Sequence, residues 1–249
     1  MFNVERAFPS SVYLPLRLFL NRLRGRTEID VSLVKNLVQP GSLVADVGAH
    51  KGLYTVPLYR RGCIVYAFEP NQHCAMLLER WAKGKKSVYV VRAGLSDKSG
   101  FGKLKIPVDQ NGKSHIASAS LEKQPEGKFI EEEIALSKLD DFNFVDLKFL
   151  KLDVEGLEDR VVLGGIETIK RCRPIMLIEV ERRHRSKPIS VIFNMLFDLD
   201  YCAFYHSVSG LKEVRDADFL GWENLEINRL SKNFWFIQKS DKNNLLSLV

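Results

Sequence analysis

The sequence predicts an α/β fold, a mostly parallel, doubly wound sheet of seven strands with an antiparallel hairpin at one edge and helices on both faces. Three observations carry this expectation. From Leu43 onward, short apolar runs alternate with segments of helical periodicity, the pattern of βαβ units. Successive apolar runs end on an acidic residue, at the strand ends where such sheets gather their ligand-binding groups. Two aromatic-rich runs, "YCAFYHSVSG" and "NFWFIQK", close the chain and read as an antiparallel pair.

Residues 1–40 read as a helical leader and residues 41–249 as the main domain. Within the leader, "YLPLRLFLNRLRGR" (13–26) interleaves Leu and Phe with Arg. Such a basic amphipathic helix is too short and too charged to span a bilayer. It is expected to pack on the domain with its arginines solvated; the alternative is peripheral contact with an anionic membrane surface. "SLVKNLVQPG" (32–41) follows as a short helix ended by Pro-Gly.

The first half of the sheet then reads in order. "SLVADVG" is a strand, and "GLYTVPLYRRG" a helix that tolerates Pro57 in its first turns. "CIVYAFEP" is a strand ending in a carboxylate and a proline. "NQHCAMLLERWAKG" is a helix capped by Asn71 and closed by Gly84, and "SVYVVRAGLS" is a further strand. Parallel pairing with right-handed crossovers follows from this βαβαβ order.

The middle is less regular. "GFGKLKIPV" reads as an edge strand, and residues 109–128 as a polar loop long enough to suggest that it covers a site. Alternation resumes with "LKFLKLDVEG" as a strand, "LEDRVVLGGIETIKRC" as a helix, "PIMLIEVE" as a strand and "PISVIFNMLFDLD" as a helix.

A chain of 249 residues, 45% hydrophobic and 27% charged, suits one globular domain with a full core. The net charge of +6 would suit anionic partners, yet the basic residues are spread out and no aromatic-plus-basic signature appears. Nucleic acid is therefore not the expected partner. Cys63, Cys74, Cys172 and Cys202 lack CxxC spacing, and no hydrophobic signal segment precedes them. They read as reduced packing residues of a cytoplasmic protein, which the leader could bring to the inner face of the membrane.

The strand-end acids are Asp46, Glu69, Asp97, Asp153 with Glu155 close behind, and Glu179 with Glu181. One such acid would mean little, because helix N-termini favour carboxylates. The turn after the first strand reads Asp46-x-Gly48-x-His50-x-Gly52. Its spacing departs from the G-x-G-x-x-G fingerprint of dinucleotide sites, and Asp46 would repel a pyrophosphate. A ligand with ribose and adenine but no phosphate, bearing positive charge, fits better; S-adenosylmethionine is such a ligand. Glu69 lies about 20 residues after Asp46, where an acid hydrogen-bonds ribose hydroxyls in nucleotide-binding βαβ units. The plainer reading of Glu69 is a cap ahead of Pro70. At His50 the expected role is conformational, since His is among the non-glycine residues that tolerate positive φ. Lys51 is expected to point to solvent.

"VADVGAHKGLYT", "AFEPN", "AGLSDKSG", "LKLDVEGLEDRVVLGG" and "RPIMLIEVE", in this order, resemble the FkbM family of S-adenosylmethionine-dependent methyltransferases over residues 41 to 200. The family commonly has Asn where this chain has His50. The resemblance implies a Rossmann-like class I methyltransferase fold and methyl transfer to a hydroxyl, typically of a sugar or natural product. Carried onto these residues, it implies a cofactor site of Asp46, Gly48, His50, Gly52, Glu69, Pro70, Ser96, Asp97 and Asp153. It places Asp153 beside the reacting methyl, with Glu155 or Glu179 as the base that takes the acceptor's proton; His115 and His184 are further candidates for that base.

Glu155 and Glu158 have a structural alternative as first-turn helix carboxylates. A divalent metal on Asp153 and Glu179, chelating acceptor hydroxyls, is a further possibility. Nucleobase methylation is disfavoured, because "LDVEG" carries no Asn/Asp-Pro-Pro-aromatic segment to hold a flipped base. Cys172 is expected to be buried rather than a nucleophile. The polar loop suits a glycan or glycolipid acceptor. A polyketide-like acceptor, or a binding module without catalysis, is the alternative.

Overall fold

The computed structural model describes residues 9–23, 29–121, 127–207, 210–215, 218–219 and 232–243. Its principal sheet contains β1 (Leu43–Val47), β2 (Ile64–Phe68), β3 (Val88–Val91), β7 (Leu147–Leu152), β8 (Ile175–Glu179), β9 (Tyr201–Ser207), β10 (Gly210–Glu213) and β11 (Asn233–Gln238). The strand order is β10-β9-β11-β8-β7-β1-β2-β3, with eight strands where seven were predicted. The extra one, β10, folds back on β9 at the edge. β3, β2, β1, β7 and β8 are parallel neighbours, and β11 enters antiparallel between β8 and β9.

The helices are α1 (Ser10–Leu23), α2 (Ile29–Leu37), α3 (Thr55–Arg60), α4 (Gln72–Ala82), α5 (Glu158–Leu163), α6 (Ile166–Cys172) and α7 (Ser190–Phe197). Neighbouring residues of a strand point to opposite faces, so each face receives its own apolar layer. On one face Ala45, Val47, Leu150, Leu152, Met176 and Ile178 pack with Val161 and Val162 of α5 and Phe193 of α7. On the other, Val44, Val65, Phe149, Leu177 and Trp235 pack with Val31 and Val34 of α2 and Leu58 of α3.

The leader belongs to this packed body. Tyr13 and Leu14 of α1 sit against Leu77, Leu78 and Trp81 of α4, while Val12 and Phe19 face outward. Asp30 of α2 accepts hydrogen bonds from Trp235 Nε1 at 2.7 Å and Asn233 Nδ2 at 3.1 Å, tying the leader to the last strand. Residues 24–26 of the basic segment lie outside the described residues.

Two expectations are corrected in the middle of the chain. "GFGKLKIPV" is not an edge of the main sheet: β5 (Gly100–Pro107) pairs antiparallel with β6 (Phe129–Ser137), which pairs with the short β4 (Gly94–Leu95) in a separate three-stranded sheet. β6 was not foreseen, because "FIEEEIALS" breaks apolar alternation with three glutamates. Those glutamates lie opposite Lys103, Leu104 and Lys105, and Lys103 Nζ pairs with Glu131 at 2.9 Å. Opposite charges across the strands supply what hydrophobic pattern does not. This sheet has its own core of Leu104, Ile106, Ala119 and Ile134.

The helix predicted over "LEDRVVLGGIETIKRC" is also divided, into α5 and α6, at Gly164–Gly165. A Cβ on Gly164 would lie 2.0 Å from the Ser96 carbonyl oxygen, so this close crossing admits only glycine.

Candidate active site

Successive strands run outward from β1 to β3, and the chain then returns to place β7 on the other side of β1. Order therefore reverses between β1 and β7, and the crevice at their carboxyl ends is where ligands bind in such sheets. Here the two backbones touch. The Asp153 N–H donates to the Val47 carbonyl at 3.0 Å, and a Cβ on Gly48 (φ 79°) would lie 1.8 Å from the Asp153 carbonyl oxygen. Gly48 and Ala49 both donate their N–H groups to the Phe68 carbonyl at 3.0 Å, binding the turn to β2.

Above this junction lies a cleft of about 690 Å³. Gly48, His50, Glu69, Pro70, Asp153 and Glu155, all predicted, line it together with Asn71. Its remaining wall is apolar: Phe68, Ala93, Leu95, Leu104, Ile116, Ala119 and Leu121. Several of these come from the small sheet and the adjoining loop, which roof the cleft. Two tethers hold the roof. Glu132 of β6 accepts from Asn71 Nδ2 and the Gln72 N–H, both at 2.7 Å, and Ser120 Oγ donates to the Glu155 carbonyl at 3.1 Å. The loop predicted to cover a site thus does so through Ile116, Ala119 and Leu121 in its middle.

Glu69 is buried, and its carboxylate is already oriented. Oε2 accepts the His50 N–H at 2.6 Å and Oε1 accepts the Asn71 N–H at 2.8 Å. Each oxygen keeps a further lone pair, so the group can accept two hydroxyls of a vicinal diol. Burial pushes its carboxyl up to about 7, against the pull of those two N–H donors. Asn71 also caps α4 as predicted, accepting the Cys74 N–H at 3.1 Å.

His50 adopts φ 46°, the left-handed conformation its position in the turn called for. Its side chain also matters, since it lines both the cleft and a second, more open groove. Lys51 and His115 line that groove, and His115 stands apart from the carboxylates around Asp153.

Asp46 does not line the cleft. It is buried beneath it, accepts the Thr55 hydroxyl, and burial raises its carboxyl to about 6. Its neighbour across the parallel pair is Lys151 of β7. The Lys151 ammonium is 1% exposed, donates to the Leu152 carbonyl at 3.0 Å and lies 3.9 Å from Asp153 Oδ2. A lysine inside a strand buried on both faces requires carboxylates nearby; "FLKLD" held that signal, which the strand-end reading passed over. Gly52 (φ 74°) packs on Val56 and Leu78, and Ser96 donates to Asp97 at 3.0 Å; none of these three lines the cleft.

Beyond Asp153 an acidic pocket of about 170 Å³ gathers Glu155, Glu179, Glu181 and His184. Glu179 faces Asp153 and Glu181 in this pocket, and burial with the adjacent Asp153 charge raises it to about 9. Glu179 therefore holds a proton near neutrality. Glu155 has φ 54°, an uncommon conformation for a residue with a side chain. Its Oε2 lies 3.0 Å from His184 Nε2, which is also 3.5 Å from Glu181 Oε2; Glu181 in turn pairs with Lys232.

Glu158 plays a structural part. It accepts the Gly156 N–H at 3.0 Å and the buried Arg185 guanidinium at 2.6 Å, locking the loop that carries Glu155. Among the described residues no group of three or more His, Cys, Asp or Glu is placed to hold a metal ion, so the Asp153–Glu179 metal reading gains nothing. No helix among them is long and apolar enough to cross a membrane. All four cysteines are free thiols, and Cys172 is half-buried against the Phe144 carbonyl.

A reversed parallel sheet, a glycine turn pressed onto the end of β7 and an oriented acid at the end of β2 define the class I S-adenosylmethionine-dependent methyltransferase fold. Residues 46–204 match the methyltransferase FkbM domain model, and the chain belongs to that family. Among solved structures it is similar to the methyltransferase FkbM from Methylobacillus flagellatus KT, with a TM-score of 0.51 and 16% identity. That match covers 81% of this chain and 45% of the other, so this chain spans less than half of that protein. An rRNA methylase from Streptococcus thermophilus aligns with a TM-score of 0.49 and 12% identity over 84% of this chain and 94% of the other. A TehB-like SAM-dependent methyltransferase from Corynebacterium glutamicum ATCC 13032 Kitasato gives 0.44 and 12% over 92% and 98%. No curated protein sequence matches the chain.

Proposed function

We propose that the protein transfers a methyl group from S-adenosylmethionine to a hydroxyl of a glycan or glycolipid. The observation that carries this reading is Glu69, an acid pre-set by two backbone N–H groups at the rim of an apolar cleft. Such a group takes a ribose diol, and the apolar wall of Phe68, Leu95, Leu104 and Leu121 takes a purine. Gly48 lets a ligand approach the backbone closely, and the Asp153 carboxylate favours positive charge above the β1–β7 junction. When bound, S-adenosylmethionine supplies an electrophilic methyl on a sulfonium.

The chain's own residues must then hold the acceptor and remove its proton. Glu155 is the proton acceptor. It lines the cleft, is held in position by its strained backbone, and faces His184, which can share or pass on the proton. Glu179 already carries a proton and serves to hold Asp153. The roof keeps water from the reacting atoms while Ser120 fixes Glu155's carbonyl.

Thermal denaturation with S-adenosylhomocysteine and with NADH separates this reading from an oxidoreductase. Stabilisation by the former and not the latter, with label transfer from methyl-labelled cofactor to oligosaccharide acceptors, is the expected result. Stabilisation by NADH alone overturns it. The exposed Phe19 on α1 supports a peripheral membrane contact for a lipid-linked acceptor, which liposome co-sedimentation tests.

A further inference from the structure

We infer that the groove beside His50 is an acceptor subsite for an anionic group, the carboxylate of an acidic sugar or the phosphate of a sugar phosphate. This deepens the preceding reading and rests on it. The groove, about 590 Å³ and open to solvent, lies between α1, the β1 turn and the loop after β5. Arg17, Lys51 and His115 bring nitrogen donors to it, Ser114 and Ser118 bring hydroxyls, and among the described residues no carboxylate lines it. Asp109 stands behind His115, 3.3 Å from its Nε2, where it orients the ring.

The groove is not an isolated surface feature. His50 and Ile116 line both it and the cofactor cleft, so a ligand lying across His50 reaches from one to the other. The far end of the cleft is the opposite in charge, with Asp153, Glu155, Glu179 and Glu181 around its small pocket. An acceptor with a single negative group is therefore repelled from the carboxylate end and drawn to the Arg17 end. That polarity orders the acceptor in one direction and leaves its neutral hydroxyls toward Glu155. Arginine offers a planar pair of donors matched to carboxylate or phosphate, and the two serine hydroxyls suit adjacent sugar oxygens. Arg17 precedes the family-matched segment, whereas Lys51, Ser114, His115 and Ser118 lie within it, so the leader and the matched domain build the subsite together.

The test titrates the full chain, with and without S-adenosylhomocysteine, with methyl β-glucuronide, glucose 1-phosphate, neutral methyl β-glucoside and inorganic phosphate, followed by backbone amide shifts. One or both charged sugars should bind about tenfold tighter than the neutral one, and the Arg17→Gln, His115→Gln double variant should remove that preference. S-adenosylhomocysteine affinity in the variant should stay within about twofold of wild type, which also reports that it folds. Preference for the glucuronide assigns a uronic-acid acceptor; preference for glucose 1-phosphate assigns a phosphorylated one. Equal binding of charged and neutral sugars, a preference that survives the double variant, or inorganic phosphate binding as tightly as the sugars would overturn the subsite. If wild type fails to bind S-adenosylhomocysteine, the methyl-transfer reading falls, and the charge preference still decides the subsite on its own.

Discussion

The backbone N–H of His50 donates to Glu69 Oε2 at 2.6 Å, joining the turn after β1 to the acid that ends β2. The bond explains why His50 tolerates φ 46°: the left-handed backbone aims its N–H at a carboxylate that must be held. On the proposed function, the protonation state of that acid sets how firmly the cofactor is held.

With a buried carboxyl raised to about 7, Glu69 is largely protonated at pH 6 and loses part of its capacity to accept a diol. S-adenosylhomocysteine should bind about tenfold more weakly at pH 6 than at pH 8, since ionisation falls roughly tenfold per unit below the pKa. Glu69→Gln should bind weakly at both. Calorimetric titration across this range checks it, and a flat wild-type profile would refute the diol role.

Without ligand the sign is the reverse. Asp46, Glu69 and Glu179 all have folded pKa values above their ordinary ones, so the folded state binds more protons than the unfolded one between about pH 4 and 9. Their contribution is greatest at the acid end and is lost as pH rises, Asp46 by about 6, Glu69 by about 7 and Glu179 by about 9. At ~1.4 kcal/mol per pKa unit, Asp46 and Glu69 each contribute roughly 3 kcal/mol to that loss. Urea unfolding of the apo protein at pH 5, 7 and 8.5 should show it, with a shallower slope in Glu69→Gln.

Glu155→Gln and Glu179→Gln separate the two candidate bases. Removing the proton acceptor should lower kcat by about 10²–10⁴-fold. Glu179→Gln mimics a group that is protonated already and should change kcat by less than about tenfold. Parallel single-turnover measurements decide, and the opposite ranking would transfer the base to Glu179.

Gly48→Ala places a methyl where the Asp153 carbonyl oxygen stands, in a φ of 79°. Separation of β1 from β7 should cost about 2–4 kcal/mol and abolish cofactor binding. Denaturant titration and S-adenosylhomocysteine binding read the two effects separately.

Glu158→Ala leaves the buried Arg185 guanidinium with the longer Asp159 contact at 3.5 Å, and losing its close partner should cost about 3 kcal/mol. Glu158→Gln keeps an acceptor and should cost less. If both variants lose activity with full stability, Glu158 acts in the chemistry and not in the fold.

Much of this was legible in the residues. Alternating apolar runs located the strands, Asn71 announced its helix, and strand position pointed to Glu69, which lines the cleft. What stayed hidden was tertiary. Asp46 reads the same as Glu69 from strand position, yet one lies under the floor against Thr55 and the other at the rim. Glu132 sat within a run of glutamates that masked a strand, and only its reach to Asn71 shows why an acid is needed there. Arg185 and Glu158 are 27 residues apart, and no local pattern pairs them.

The roof contributes apolar side chains to the cleft, Leu95 and Leu104 from the small sheet and Ile116, Ala119 and Leu121 from the loop after β5. Ser120 and Glu132 tether it to the main body through a few hydrogen bonds. Its fixed points against the main body include Leu95, packed in the large core, and Ser96, whose carbonyl lies against Gly164. On the proposed function, exchanging the strands and loop beyond these points between relatives should change the acceptor while the methyl donor stays the same.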